Sequence, residues 1–452
     1  MITNMKKAFY ILALPVLTLF MIACNNSEEK QPNIILIMAD DLGYGELSCY
    51  GSSKIHTPNI DGLALQGISF TDFHANGPVC SPTRAALMTG KYQQRTGVEG
   101  VITAASHREV GLSLDETTLA EALKILGYSC GIFGKWHLGY AEEFNPVHQG
   151  FDDFVGFVSG NVDYQSHIDQ EGYLDWWKGN KIDNEEGYTT DLITRYGVEF
   201  LKQNNPDDTG KPFFLYLPHE APHYPIQARN DDPIRNEGSG KTIRKVPNES
   251  VPSIYTEMIE TMDEGIGEIL NTLKTMGMEE NTIVIFCSDN GAAGNRGDNG
   301  GLRAAKASLY EGGIRVPAII RYPGKIAEKD TSNATVMSMD LFPTLLDLAG
   351  SKSTGLKLDG ISVKNLLFNG EELPDRNLFW SFKNQKAMRK GKWKLVSTIL
   401  EDKTTHELFD LETDLSEKND LSAKHPQLLK EMLQDLDNWE EEVWSGVNII
   451  AK

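Results

Sequence analysis

Two uninterrupted apolar runs stand more than half the chain apart, Asn33–Met38 (N-I-I-L-I-M) and Thr282–Cys287 (T-I-V-I-F-C). Side chains alternate faces along a strand, so a run with no polar break is buried on both faces. That is the mark of a parallel sheet covered by helices. Each run ends abruptly in polar residues: Asp40-Asp41 before Gly43 and Gly45, and Ser288-Asp289-Asn290-Gly291. Open α/β sheets bind their ligands at the carboxyl ends of the strands. Aspartates and an amide oxygen at two such ends form an oxygen-rich cage suited to a hard divalent cation. Further strands are predicted at Ser129–Phe133, Pro212–Leu217 and Val316–Tyr322. Helices are predicted over Leu114–Gly127, with Leu119, Leu123 and Leu126 on one face, over Ile254–Met276 and over Ser338–Leu348. At 452 residues the chain is long enough for one large α/β domain and a smaller one.

Between the two acidic strand ends lies Pro78–Gly90, P-V-C-S-P-T-R-A-A-L-M-T-G. Ser81 reads as a hydroxyl N-cap, Pro82 as the first helical residue and Gly90 as the stop. Cys80 then faces the unpaired N–H groups and positive dipole end of a helix, with Arg84 one turn in. A cysteine alone is usually an inert core residue; here it stands at a site built for an anion.

C-S-P-T-R-A-A-L-M-T-G resembles the sulfatase signature C-x-P-x-R followed by T-G, in which the cysteine is oxidised after synthesis to formylglycine. G-K-W-H-L-G at 134–139 is similar to a second sulfatase motif, so Lys135 and His137 are expected to be catalytic. If the segment is extended, the two side chains point the same way. In P-H-E-A-P-H-Y-P the H-Y-P end lines up with the family's active-site histidine, giving His223, with His219 in reserve. The stretch ending Y-E-G-G-I-R-V-P carries the family's second active-site lysine, here Lys306. The resemblance implies a calcium site of Asp40, Asp41, Asp289 and Asn290 with modified Cys80 as a further ligand. It also implies an alkaline-phosphatase-like fold: a large, mostly parallel mixed sheet flanked by helices, plus a smaller C-terminal antiparallel sheet with one packed helix.

The rest of the chain bounds this expectation. A net charge of −21 argues against nucleic acid as a partner, and leaves an anionic substrate dependent on a local cationic pocket. Lys6 and Lys7, an apolar Ala8–Phe20 and Met21-Ile22-Ala23 before Cys24 resemble a lipoprotein signal. Residues 1–23 are thus expected to be a signal peptide, Cys24 a lipidation site, and 24–31 a tether; plain secretion is the competing reading. The address is exported, periplasmic or on the cell surface, with the membrane reached through the lipid. Cys49, Cys80, Cys130 and Cys287 make no zinc spacing and no even disulfide framework. Gly150–Asp191, with Trp176-Trp177, reads as an insertion rimming the pocket, and Ser159 and His167 are weaker substrate-contact candidates. The catalytic domain is expected over 32–356. The C-terminal subdomain, 357–452, has short strands at Leu378–Phe382, Ala387–Arg389 and Lys392–Val396 and a helix Gln427–Trp444.

The reaction implied is hydrolysis of a sulfate monoester. Calcium and the ammonium groups of Lys135 and Lys306 would neutralise the sulfate oxygens while a formylglycine hydrate attacks sulfur. Arg84 would hold the hydrate, His223 or Lys306 would protonate the leaving alcohol, and His137 would take the proton that re-forms the aldehyde. The expected substrate is a sulfated oligosaccharide or polysaccharide. The expected partner in maturation is a formylglycine-generating or anaerobic sulfatase-maturing enzyme. A phosphomonoester or phosphonate monoester hydrolase, and a lipid-anchored glycan-binding protein without activity, are the alternatives.

Overall fold

The computed structural model describes residues 30–243, 245–294, 296–351, 355–401 and 403–452. The expected signal peptide and most of the tether, including Cys24, lie outside the described residues. Its centre is a ten-stranded sheet whose five middle strands run parallel, in the order Thr282–Ser288, Asn33–Ala39, Phe213–Pro218, Ser129–Lys135, Asp153–Phe157. Along Asn33–Ala39 the alternation expected of a two-sided strand holds. Ile34, Leu36 and Met38 enter one hydrophobic core, and Ile35, Ile37 and Ala39 enter the core on the opposite face. Registers Met38↔Cys287 and Met38↔Pro218 bring three strand ends level. Asp40-Asp41, Asp289-Asn290 and the 219–223 loop therefore leave the sheet at one edge.

Several boundaries move from their expected places. The helix expected over Leu114–Gly127 is Leu119–Ile125. Thr118 caps it by accepting from Glu121 N while the Glu121 carboxylate accepts from Thr118 N, a reciprocal pair that starts a helix more firmly than the upstream acidic residues do. Leu114 is left exposed. Asp153–Phe157, inside the segment read as a rim insertion, is an integral strand of the sheet.

A second sheet of four antiparallel strands, Asn377–Phe382, Gln385–Lys390, Trp393–Leu400 and Lys403–Asp410, packs beneath the helix Pro426–Val443. Leu378, Trp380, Met388 and Leu395 share one core with Val79 and Ala86, next to and within the helix Cys80–Thr89. The C-terminal sheet thus supports the helix that carries Cys80.

Candidate active site

The floor of the site consists of the polar ends of the two acidic strands. Asp41 N donates to Asp289 Oδ1 at 3.1 Å, and Asn290 Nδ2 donates to Asp41 Oδ1 at 2.7 Å. Asp41 lies in the left-handed region, φ 64°. A non-glycine residue held there carries strain of order 1–3 kcal/mol, which these hydrogen bonds offset. Asp40, Asp41 and Asp289 are all buried, so three carboxylates share a dry volume. Arg84, Lys135 and Lys306 supply the opposing charges. Arg84 Nη2 donates to Asp289 Oδ2 at 2.8 Å, Lys135 Nζ to Asp40 Oδ2 at 2.6 Å, and Lys306 Nζ pairs with Asp41 Oδ1 at 2.5 Å. Burial and Asp40 push the Asp289 carboxyl up to about 6, against the pull of Arg84 and Lys135.

Cys80 is the first residue of the helix Cys80–Thr89, and the cap is Val79. Ser81 is therefore not the N-cap. Its hydroxyl instead accepts from Ile102 N at 3.1 Å and ties the 101–105 loop to the helix. The Cys80 thiol donates to Asp40 Oδ1 at 3.3 Å and receives Lys306 Nζ at 3.6 Å. Burial, then Asp40, push the thiol up to about 12, in spite of Lys135, Lys306 and the helix terminus. As an unmodified thiol, Cys80 is therefore held protonated at neutral pH. Arg84 turns inward: besides Asp289 it donates from Nη1 to the Lys135 carbonyl at 3.1 Å.

Lys135 ends its strand, and His137 sits beyond it at φ 59°, so the segment is not extended and the two side chains go separate ways. Lys135 is buried behind Cys80 and is committed to Asp40. His137 lines the cavity. Its Nε2 donates to the Ile102 carbonyl at 2.9 Å, which leaves Nδ1 as a lone pair with no hydrogen-bond partner among the described residues. Burial, then Lys135 and Arg84, hold the ring neutral.

His223 donates from Nδ1 to the Tyr224 carbonyl at 2.7 Å, so Nε2 is also a lone pair, 3.6 Å from Asp41 Oδ2. Burial, then Lys306, hold this ring neutral as well, with Asp41 opposing. His219 is buried, lies outside the cavity lining and is depressed to about 3 by burial, so the reserve candidate drops out. His167 also drops out: it stacks on Trp176 at 4.5 Å and donates from Nε2 to the Gly187 carbonyl at 3.0 Å. Trp176 is buried in the core, away from the cavity.

Above this floor opens a cavity of about 440 Å³, within the range of roughly 300–1,000 Å³ usual for ligand pockets. Cys80, His137, His223 and Lys306 line its inner end. Its walls are Val101–Ala105, Tyr140, Ser159–Asn161, Asp169–Glu171 and Tyr224. Of the walls, the sequence singled out Ser159 by residue, and the segment 150–191 read as a rim supplies 159–161 and 169–171. The others carry no local pattern; they meet because the loop after Asp153–Phe157 folds over His137. Gly160 permits that approach, since a Cβ there would stand 2.9 Å from the imidazole.

The donor set suits a divalent ion. Ligand atoms of Asp40, Asp41, Cys80 and His223 lie within 4.8 Å of one another, and Asn290 Oδ1 is a buried oxygen with no hydrogen-bond partner. A buried acceptor left unpaired is costly, and a cation beside it removes that cost. A second cluster, Asp72, His74 and Glu311, has its charges answered by Arg315, Arg389 and Lys394.

Known proteins agree with this geometry. The Sulfatase family model matches residues 32–351, and a model for the C-terminal part of N-sulphoglucosamine sulphohydrolase matches 304–442. Arylsulfatase A of Bos taurus is 33% identical over 452 residues, covering 94% of this chain and 85% of that protein. N-acetylgalactosamine-6-sulfatase of Mus musculus is 33% identical over 374 residues, covering 78% and 69%. The crystal structure of Ps i-CgsB, also solved in complex with k-i-k-neocarrahexaose, superposes with a TM-score of 0.82 at 30% identity over 93% of this chain and 94% of that one. A phosphonate monoester hydrolase of Agrobacterium radiobacter shares the fold, with a TM-score of 0.65 at 20% identity over 91% and 96%. The Sulfatase model covers more than half of the chain, the arylsulfatase and N-acetylgalactosamine-6-sulfatase relatives are about a third identical to it, and the chain belongs to the sulfatase family of sulfuric ester hydrolases.

Proposed function

We propose that the protein removes sulfate from a sulfated carbohydrate, with Cys80 converted to formylglycine and calcium held by Asp40, Asp41, Asp289 and Asn290. The observation that carries this reading is the meeting of three loops. Lys306 Nζ is 2.5 Å from Asp41 Oδ1 and 3.6 Å from Cys80 Sγ, at the inner end of a sugar-sized cavity. The buried, unpaired Asn290 Oδ1 and the hard oxygen donors support calcium. When bound, the ion supplies charge neutralisation for the sulfate oxygens, and the aldehyde supplies the nucleophilic oxygen that a thiol lacks.

The chain's own residues do the rest. Asp41 and Cys80 hold Lys306 as an ammonium group, with a pKa well above its ordinary value against the effect of burial. It binds the ester's anionic oxygens and stands ready to protonate the leaving alcohol. His223 shares that duty once the anion and Asp41 favour a proton on Nε2. His137 Nδ1, a neutral lone pair with no hydrogen-bond partner among the described residues, accepts the proton released at residue 80. Lys135 and Arg84 act from behind, fixing Asp40 and Asp289. The carbohydrate assignment draws support from the similar Ps i-CgsB, which was solved with a neocarrahexaose.

Purified, matured enzyme would be given a panel of monosulfated mono- and disaccharides beside matched phosphate esters. Release of sulfate from at least one sugar is expected. Faster turnover of the phosphates, or of aryl sulfates alone, overturns the assignment. We propose further that residues 1–23 direct export and that Cys24 carries a lipid. Cys24→Ser should then move the protein from the membrane fraction to the soluble one.

A further inference from the structure

Among the polar side chains of the cavity wall that the reaction described above does not use is Asn161. Asn161 is 4% exposed and lines the cavity beside the His137 loop. Its Oδ1 accepts from Arg235 Nη2 at 2.5 Å, and Arg235 is itself buried and donates from Nη1 to the Ile168 carbonyl at 3.1 Å. A guanidinium only donates, so the amide is locked with its oxygen toward Arg235 and its NH₂ away from it. Among the described residues nothing accepts from Nδ2. The turn around it is fixed: Asp175 accepts from Val158 N at 3.2 Å and from Ser159 N at 2.8 Å, and Ser159 Oγ donates to the Asn161 carbonyl at 3.1 Å. The Ser159 proton is thus spent within the turn, and of these two side chains Asn161 is the one whose donors have no acceptor among the described residues.

We propose that Asn161 determines specificity for the alcohol half of the ester, its Nδ2 donating to a neutral oxygen of the substrate, a hydroxyl or ring oxygen near the sulfated carbon. This rests on the carbohydrate reading above. N–H donors fixed at a cavity wall without a protein acceptor favour a ligand that satisfies them and select against one that displaces their water without doing so. The inner end already holds the Lys306 ammonium group for the sulfate, so the amide adds most where the substrate is uncharged. A phenol ester carries no such oxygen and gains nothing from it.

The test is Asn161→Asp, which keeps the volume and the Arg235 partner but replaces the donor with an acceptor, with Asn161→Ala as a second variant. Each is assayed on monosulfated galactose and N-acetylgalactosamine esters and on 4-nitrophenyl sulfate. Both variants should lose roughly 10- to 100-fold in kcat/KM on the sugar ester that the wild type prefers, as expected for a buried hydrogen bond. Asn161→Ala, which adds no charge beside the sulfate, should stay within about twofold of the wild type on the phenyl ester, on the same per-bond reasoning. Equal losses on both esters, or none on either, overturn the assignment of Asn161 alone. A wild type that cleaves the phenyl ester and none of the sugars overturns the carbohydrate reading and this assignment with it.

Discussion

Arg84 spends two nitrogens on one oxygen: Nη2 at 2.8 Å and Nε at 3.2 Å both donate to Asp289 Oδ2. Through this contact the Cys80 helix is fastened to the second acidic strand end. Its third nitrogen, Nη1, reaches the carbonyl of Lys135 and fastens the helix to a third element. Arg84→Ala would leave Asp289 beside Asp40 with no guanidinium partner. Breaking a buried pair this way costs about 3–5 kcal/mol, measurable by urea unfolding. Arg84→Lys keeps the charge but not the fork, and should recover only part of the loss. A change under about 1 kcal/mol for the alanine variant would remove Arg84 from the framework of the site.

Chelation should act on stability as well as on rate. An ion that binds only the folded state stabilises it by about 4 kcal/mol at a thousandfold excess over its Kd. Adding a calcium chelator should therefore lower the melting temperature and abolish sulfate release, and excess calcium should restore both. Identical melting curves with and without chelator would count against the metal assignment.

Cys80 gives a chemical prediction. As a thiol held near 12, it should resist alkylation at pH 8 in the folded, unmodified protein, whereas denaturation should expose it. Protein from a host without a maturing enzyme should fold, carry a free thiol by peptide mass and release no sulfate. Turnover by that thiol form would refute the formylglycine requirement.

Glu46 sets a pH dependence of stability. It is buried, accepts from Gly43 N, Asp298 N and the Tyr255 hydroxyl, and is pushed up to about 7 by burial. Between its ordinary value and about 7 the folded state keeps a proton that the unfolded chain has lost. Stability is therefore lost as pH rises through that window, by about 1.4 kcal/mol per unit and about 3 kcal/mol in all. Glu46→Gln mimics the protonated form, so its stability relative to the wild type should improve from pH 5 to pH 8. A difference that does not change with pH would show that Glu46 titrates normally.

The loop carrying Lys306 is held by the second sheet. Gln385 Oε1 accepts from Leu309 N at 3.0 Å and from Ser308 Oγ at 3.3 Å, and Arg303 Nη1 donates to Glu407 at 3.1 Å and to the Glu417 carbonyl at 2.8 Å. Ala304 and Ala307 flank the lysine in left-handed conformation, φ 61° and 69°, so the loop depends on these ties. Gln385→Ala, far from the substrate, should cost about tenfold in kcat/KM, in line with a lost buried hydrogen bond. Gln385→Glu, which keeps the acceptor, should restore most of it. Unchanged kinetics for the alanine variant would mean that the loop holds itself.

What the sequence made legible follows from how the information is written. The two apolar strands, their acidic ends and the Cys80 helix are local patterns, and all three appear close to where their residues predict. The four-stranded sheet was partly visible, but Lys403–Asp410 opens on five consecutive polar residues with no strand alternation, and only pairing with Trp393–Leu400 makes it a strand. Asn161, Tyr140 and Tyr224 were invisible as a group, because no spacing links them and only the tertiary path brings them to one wall. The Ser81 hydroxyl was misread for a related reason. A serine before proline signals a cap, yet here a distant backbone amide, Ile102 N, claims it. The protonation of His223 and His137 also lay beyond the sequence, since it is set by which carbonyl each ring meets.

The burial of Cys80, 3% exposed at the floor of a narrow cavity, fixes an order of events in the cell. Another enzyme's catalytic groups cannot descend to that depth, and the second sheet closes over the helix from below. On the proposed conversion of Cys80, oxidation of the side chain belongs to the time when the polypeptide is still open, so that modification races against folding. A faster-folding variant would then leave more of its molecules inert.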